Sequence, residues 1–213
     1  MPEGDKYEMK DANIEYGKWI KRALKLVDKD CEIIADLGAG TGQIHSILFG
    51  TFPKLKTIYA IEPNEEKREK IRSAIPIDST FDDFSLPQKV DLVLFSSSFH
   101  HCPDVNLSRL FENIKKISTS KTQILFVNEF YINWLWILRR IFGCLRMGNI
   151  NVFAPVDGNH FRTKRRITKI LKDNGFHEIK FYIEKFKMIS LTYGPHSLWN
   201  GLGWRFYYSC ITK

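Results

Sequence analysis

Apolar residues along this chain occur either in short continuous runs or at spacings of three and four residues. A short apolar run bounded by polar residues is typical of a buried strand, and the three- and four-residue spacing is typical of a helix with one buried face. The runs predict strands at residues 33–36, 57–62, 90–95, 124–127, 179–186 and 204–211. Strands that alternate with helices in this way indicate an α/β fold with a mostly parallel sheet.

Helices are predicted before and between these strands. The first carries apolar residues at Ala12, Tyr16, Trp19, Ile20, Ala23, Leu24 and Val27. Later helices have core-facing positions at Ile44, Ile47 and Leu48, at Leu107, Leu110, Phe111, Ile114 and Ile117, and at Ile167, Ile170 and Leu171. A helix after the second strand begins at Asn64, its expected N-cap. Thr163 is the expected N-cap of the last helix, and Gly175 follows its end.

The composition indicates one folded domain. With 213 residues, 44% of them hydrophobic and 14% aromatic, the chain is long enough to bury a full core. No apolar run reaches about 18 residues, the length that a membrane-spanning helix needs, and residues 1–6 are polar and unlike a signal peptide. A cytoplasmic protein is therefore expected. Its cysteines form no C-x-x-C pair, so neither a metal site nor a disulfide is expected at Cys31, Cys102, Cys144 or Cys210.

Three glycines follow the first predicted strand in the run Asp36-Leu37-Gly38-Ala39-Gly40-Thr41-Gly42. Glycines permit a tight turn and the close approach of a ligand, and the helix that follows offers free N–H groups at its start. The dinucleotide fingerprint G-x-G-x-x-G requires its third glycine where this chain has Gln43, and a P-loop requires a Gly-Lys-Ser/Thr ending. The spacing therefore indicates a ligand of another class.

The run resembles motif I of the class I S-adenosylmethionine-dependent methyltransferases, D-x-G-x-G-x-G, and further pieces of the pattern of their small single-domain members follow in order downstream. The resemblance implies a Rossmann-like, doubly wound, seven-stranded and mostly parallel sheet with an antiparallel last strand. It implies a single methyltransferase domain over residues 1–213, with S-adenosyl-L-methionine as cofactor and S-adenosyl-L-homocysteine as product. The expected cofactor-binding residues of the first loop are Asp36, Gly38, Ala39, Gly40 and Gly42.

Glu62 ends the second predicted strand about 20 residues after the last glycine, the distance at which a ribose-binding carboxylate follows in such folds. A carboxylate can accept hydrogen bonds from both ribose hydroxyls. Glu62 and the adjacent Pro63 are therefore expected at the cofactor. The competing interpretation is that the acid only marks the start of a helix.

On the adenine side the chain departs from the family pattern. Members commonly have Gly-Asp-x-x-x-x-Leu-Pro, and alignment on Leu86-Pro87 places Ser79-Thr80 where Gly-Asp is usual. The residues expected near the adenine are therefore Thr80, Phe81 and Asp82. Ser96 and Ser97, at the end of the fourth strand, complete the expected cofactor site.

His100 and His101 are the expected catalytic residues, in a polar loop after the fourth strand. Ligands of open α/β sheets bind beyond the carboxyl ends of strands, and many members of the resembling family carry His-His here. A neutral imidazole can take the proton from an acceptor hydroxyl or amine. The competing interpretation is that the histidines only shape the loop, and Glu129 and His160 are then the alternative bases.

Residues 130–162 are expected to form a lid-like insertion, because aromatic and aliphatic residues crowd a stretch interrupted by arginines. Such a segment suits a lid over an amphiphilic acceptor, peripheral contact with a membrane, or an ordinary buried helix. The net charge is +8, and its surplus lies at Arg139, Arg140, Arg146, Arg162, Lys164, Arg165, Arg166, Lys169 and Lys172, opposed locally by Asp157. This basic sector favours an anionic partner, or it is only a solvated face.

The expected activity is methyl transfer to an oxygen or nitrogen of a small-molecule or carrier-linked metabolite, for example a phosphate-bearing sugar or lipid intermediate. Enzymes that methylate exocyclic amines of nucleic acids carry Asn/Asp-Pro-Pro-Tyr/Phe after the fourth strand, where this chain has Ser96-Ser97-Ser98-Phe99. Cytosine C5 enzymes use Pro-Cys, whereas Cys102-Pro103 has the reverse order. Nucleic acid is thus a disfavoured partner. RNA methylation through the basic face stays open, as does a catalytically silent cofactor-binding module.

Overall fold

In a computed structural model of the protein, residues 17–18, 20–130, 160, 162–189 and 203–212 are described. The strands are β1 (Ile33–Leu37), β2 (Thr57–Ile61), β3 (Ile75–Ile77), β4 (Leu92–Ser96), β5 (Gln123–Phe130), β6 (Lys180–Ile189) and β7 (Gly203–Thr212). The helices are α1 (His45–Thr51), α2 (Glu65–Arg68), α3 (Leu107–Ile117) and α4 (Lys164–Asp173). Short 3₁₀ turns cover Leu24–Leu26, Phe99–His101 and Asp104–Asn106.

The strands form one sheet in the order β3-β2-β1-β4-β5-β7-β6. The strands β1 to β5 are parallel to one another, and β7 runs antiparallel to both β5 and β6. The predicted α/β, Rossmann-like architecture is confirmed. The chain builds outward from β1 to β3 and then returns to place β4 on the other side of β1. Such a reversal opens a crevice at the carboxyl ends of the two strands, where ligands bind in folds of this kind.

No strand was predicted at Ile75–Ile77, where β3 pairs with β2 at the sheet edge. It is three residues long, contains Pro76 and is largely exposed. Proline is tolerated at a sheet edge because the missing N–H is not needed by a further strand. A strand so short and so exposed has no apolar pattern that could reveal it.

Helices cover both faces of the sheet. One apolar cluster joins the sheet to α3 and α4, and its helical members are Leu107, Leu110, Phe111, Ile114, Ile117, Ile167, Ile170 and Leu171. The other joins the opposite face to α1 and to the amino-terminal helical segment, through Ile20, Ala23, Leu24, Ile44 and Leu48. Along β1, Ile34 belongs to the second cluster while Ala35 and Leu37 belong to the first, as the two-residue period of a strand requires.

The predicted ends of two helices are confirmed by their hydrogen bonds. Thr163 Oγ1 accepts from the Arg166 backbone N–H at 3.1 Å, and Asn64 Oδ1 accepts from the Lys67 N–H at 3.0 Å. Gly175 follows α4 with a φ of +86°, a conformation that glycine adopts without strain.

Several predictions concern residues that lie outside the described part of the chain. These include Ala12, Tyr16 and Trp19 of the first helix and nearly all of the predicted insertion over residues 130–162. Within the described ranges, none of the helices is both long and apolar enough to cross a membrane. Cys31 and Cys102 are buried, as expected for small apolar packing residues.

Candidate functional site

A cavity of about 580 Å³ lies at the carboxyl ends of β1, β2 and β4. Predicted site residues that line it are Asp36, Gly38, Ala39, Gly40, Glu62, Pro63, Phe81, Ser96, Ser97 and His101. The remaining predicted residues, Gly42, Thr80, Asp82 and His100, are not part of its wall. The wall also includes Thr41, Gln43, Ile44, Asn64, Lys67 and Ser98, which the sequence analysis did not propose as site residues.

The three glycines of the first loop have different roles, although all have positive φ angles. A Cβ on Gly38 would lie 2.6 Å from the Ser98 Cβ, and one on Gly42 would lie 2.8 Å from His45 Nδ1. A Cβ on Gly40 would meet no atom within 4 Å. The outer glycines therefore make room for neighbouring protein, and the middle glycine leaves the cavity wall open to a ligand.

Glu62 joins the loop after β2 to the glycine loop. Its side chain is 6% exposed, Oε2 accepts from the Gly40 N–H at 2.8 Å, and Oε1 accepts from the Asn64 N–H at 3.0 Å. A carboxylate has about four acceptor positions, so both oxygens keep capacity for further donors in the cavity. The N–H groups of Gly38 and Ala39 donate to the Ile61 carbonyl at 2.9 and 3.1 Å.

Asp36 and His45 form a fully buried pair below the glycine loop. Asp36 Oδ2 lies 3.0 Å from His45 Nε2, whereas Asp36 Oδ1 and His45 Nδ1 have no hydrogen-bond partner in the described part of the chain. Burial raises the pKa of Asp36, and the hydrogen bond from His45 opposes that change. His45 was not among the predicted site residues. Its only signal is a histidine three residues before Leu48, on the face of α1 that packs against the sheet.

The residues predicted near the adenine do not all face the cavity. Thr80 Oγ1 donates to Asp82 Oδ1 at 2.8 Å, and the Asp82 carbonyl accepts from Asn113 Nδ2 of α3 at 3.0 Å. Only Phe81 of the three lines the cavity. Its ring packs near Phe95, with a centroid distance of 6.1 Å, and so supplies an apolar wall.

The loop after β4 is organised by the Glu129 carboxylate, which is 1% exposed. Its Oε1 accepts from the N–H groups of Ser98 and Phe99 at 2.7 and 2.8 Å. Its Oε2 contacts His100 Nδ1 at 2.7 Å and the His100 N–H at 3.3 Å. The oxygens of Glu129 are therefore engaged in holding the loop, and the imidazole of His100 is held with them.

His101 is the histidine of the pair that reaches the cavity. Its ring lies 4.3 Å from the His100 ring, centroid to centroid. Partial burial, and then the neighbouring His100 side chain, lower the pKa of His101. The ring is therefore neutral, and able to accept a proton, over a wider pH range than an ordinary histidine.

Arg162 fixes the other side of the same loop, which corrects its assignment to an exposed basic sector. Its side chain is buried, Nε donates to Asp104 Oδ1 at 2.8 Å, and the guanidinium also donates to the carbonyls of Phe99 and Cys102. The guanidinium lies 4.8 Å from the centroid of the Phe99 ring. A charged residue in a basic run carries no local signal of burial, because its partners are about 60 residues away.

Near Arg162, two other residues, His160 and Arg166, also contact this loop and the short turn that follows it. The His160 N–H donates to the His100 carbonyl at 2.6 Å, and Arg166 Nη2 lies 3.5 Å from Asp104 Oδ2. Elsewhere on α4, Lys164, Arg165 and Lys172 are exposed, and Lys169 pairs with Asp173 at 2.7 Å. Of the members of the basic sector in the described part of the chain, Arg162 alone is buried.

Comparison with known sequences gives a consistent result. The family model described as a methyltransferase domain matches residues 35–126, which run from β1 to β5. An uncharacterized methyltransferase of Geobacillus sp. (strain WCH70) is 25% identical over 157 residues, covering 71% of this chain and 72% of the relative.

Solved structures share the fold. A SAM-dependent methyltransferase from Archaeoglobus fulgidus superposes with a TM-score of 0.62 at 19% identity, over 92% of this chain and 94% of that one. Human N-acetylserotonin methyltransferase, solved in complex with SAM, gives a TM-score of 0.61 at 17% identity. The match covers 92% of this chain but about half of the human enzyme, 51% of its length. Together with the glycine loop and the buried carboxylates, these matches support a class I S-adenosylmethionine-dependent methyltransferase family for the chain.

Proposed function

We propose that this chain binds S-adenosylmethionine in the cavity at the carboxyl ends of β1, β2 and β4, and methylates an oxygen or nitrogen of a small-molecule or carrier-linked acceptor. The observation that carries the proposal is the open wall at Gly40, flanked by the carboxylates of Asp36 and Glu62 in one cavity. The bound cofactor supplies a methyl group on a positively charged sulfur. The protein has to bind the cofactor and the acceptor, orient them, and remove a proton from the acceptor.

The polar groups of the cavity match the donors of that cofactor. Glu62 keeps free acceptor positions at the end of β2, where ribose hydroxyls can donate to it. Asp36 Oδ1 has no partner among the described residues and can accept from an ammonium group. Phe81 offers an apolar surface for the adenine. Both acids are more than nine-tenths buried, so their hydrogen bonds to a ligand are shielded from water.

Deprotonation of the acceptor falls to His101 in this proposal. The ring lies at the cavity, and its lowered pKa keeps it neutral at neutral pH. Most of the acceleration comes from holding the acceptor nucleophile in line with the methyl group and the sulfur. The similarity to a methyltransferase named for N-acetylserotonin supports a small-molecule acceptor. An RNA acceptor and a silent binding module are outcomes that the experiment has to separate from it.

Binding is tested by calorimetry with S-adenosylhomocysteine and with NAD. Gly40→Arg should abolish binding of S-adenosylhomocysteine, because the new side chain occupies the open wall. Gly50→Arg is the matched control, since Gly50 lies on α1 and a Cβ there also meets no atom within 4 Å. Circular dichroism and thermal melting establish that both variants fold. Preference for NAD, or equal affinity in the Gly40 variant, would contradict the proposal.

Transfer is tested with S-adenosylmethionine carrying a radiolabelled methyl group. The acceptors are a panel of phenols and amines, phosphorylated sugars, acidic lipid vesicles and a mixed RNA pool. Label should appear in a small or carrier-linked acceptor. Label in RNA that falls steeply as salt rises would favour the basic face instead, and cofactor binding without transfer to any acceptor would favour the silent module.

A further inference from the structure

We propose that His45 is a positioning residue for the amino-acid end of the cofactor. It holds one oxygen of Asp36, so that the other oxygen faces the cavity and accepts the cofactor's ammonium group. The inference rests on the proposed function and adds to it a residue that touches neither the cavity nor the ligand. It concerns affinity for one part of the cofactor, which allows it to be tested separately.

The geometry of the pair carries the inference. Asp36 and His45 are both completely buried, and Nε2 lies 3.0 Å from Oδ2. Asp36 belongs to the cavity wall and His45 does not. Among the described residues, Asp36 Oδ1 is a buried acceptor without a donor. A carboxylate that is anchored on one side and open on the other is suited to a cationic donor that enters from the cavity.

The glycine loop makes room for the histidine ring. His45 begins α1, and its Nδ1 lies where a Cβ on Gly42 would approach to 2.8 Å. The third glycine of the motif therefore leaves room for the imidazole. Because His45 is completely buried and its Nε2 lies 3.0 Å from Asp36 Oδ2, the imidazole can hold the carboxylate in one orientation.

The contacts of His45 with Asp36 and Gly42 also indicate which tautomer of its imidazole is present. A neutral imidazole with its hydrogen on Nε2 donates to Asp36 Oδ2 and leaves only a lone pair at Nδ1, beside Gly42. A protonated ring would place a second buried N–H where no described acceptor lies. Burial raises the pKa of Asp36, and a cation that enters from the cavity would favour the ionised form of its carboxylate.

Two ligands distinguish the contribution of the amino-acid end of the cofactor to affinity from that of the nucleoside end. S-adenosylhomocysteine carries the ammonium group, whereas 5′-methylthioadenosine has the same nucleoside and thioether and lacks the amino-acid end. We expect His45→Leu to weaken S-adenosylhomocysteine binding about tenfold or more, as for the loss of a charged hydrogen bond, and to leave methylthioadenosine binding within about twofold. His45→Gln restores an amide donor near the Nε2 position and should recover most of the loss.

Asp36→Asn should change the ratio of the two affinities in the same direction, and the double variant with His45→Leu should add little, because both changes act through one carboxylate. The two ligands are measured on one sample, so partial unfolding cancels from the ratio. An equal loss for both ligands in His45→Leu would make His45 a packing residue and overturn the inference, while the proposed function would stand. If the wild-type protein binds neither ligand, the proposed function itself is wrong.

Discussion

Replacing Glu129 should destabilise the loop that carries His101, because this loop is held by hydrogen bonds to the Glu129 carboxylate. The carboxylate of Glu129 accepts from the Ser98 and Phe99 N–H groups at 2.7 and 2.8 Å and contacts His100 Nδ1 at 2.7 Å. Glu129→Ala leaves these donors buried without an acceptor. Removing one partner of a buried pair costs about 3–5 kcal/mol, and we expect a loss of about 4 kcal/mol in the free energy of unfolding. Since a domain has about 5–15 kcal/mol in total, this loss is a large fraction of the stability.

Glu129→Gln should reduce the free energy of unfolding much less than Glu129→Ala. Its amide oxygen can still accept from both Ser98 and Phe99, and its NH₂ can donate to His100 Nδ1 once the ring carries its hydrogen on Nε2. The variant loses the charge and the weaker bond from the His100 N–H at 3.3 Å. The expected loss is therefore about 1–2 kcal/mol. Turnover should fall in this variant while the affinity for the cofactor is kept, because the glycine loop is unchanged.

Urea unfolding measures these differences, with the midpoint and the slope both recorded. Glu112→Ala is the matched control, an exposed glutamate on α3 whose loss should change stability by no more than about 0.5 kcal/mol. A loss below about 1 kcal/mol in Glu129→Ala would refute the reasoning. Equal losses in the Ala and Gln variants would also refute it, because acceptor geometry would then not matter.

Two further predictions concern the same loop. Arg162→Ala removes the buried donors to the Phe99 and Cys102 carbonyls, so unfolding should become easier by about 2–4 kcal/mol, whereas Arg165→Ala, an exposed neighbour, should have almost no effect in the same urea assay. For His101, the base has to be neutral, and its pKa is lowered from 6.5. The acid limb of kcat/KM should therefore lie below pH 6.5 and activity should fall as pH decreases through it. His101→Asn should reduce turnover by about 10²–10⁴ and abolish the limb; a limb above pH 7, or one that persists in the variant, would argue against His101 as base.

Much of the fold was predictable from local patterns. Buried strands and amphipathic helices follow from the spacing of apolar residues, and all five predicted core positions of α3 are buried. The caps at Asn64 and Thr163 are likewise local, since each side chain bonds to a backbone N–H three residues on. The edge strand β3 escaped prediction because an exposed three-residue strand needs no apolar pattern.

The functional site likewise combines features that local sequence predicts with features that depend on distant contacts. The glycine loop and Glu62 were recognisable because their spacing along the chain is part of the chemistry. The separate roles of Gly38, Gly40 and Gly42 were not, since each depends on which distant atom lies opposite the missing Cβ. His45 also gave no local sign of its bond to Asp36, which exists only once α1 packs over the end of β1.

By itself the sequence determined the α/β alternation, the position of the glycine loop at a strand end and the resemblance to a methyltransferase family. Only the tertiary structure decided which polar groups pair. The parallel register sets Ser96 opposite Val127, so that two residues further along Glu129 lies beside Ser98 and holds the loop, while Arg162 reaches it from another part of the chain. Local propensity is a property of near neighbours, whereas the partner of a buried charge is fixed by strand order and register, which bring together residues far apart in sequence.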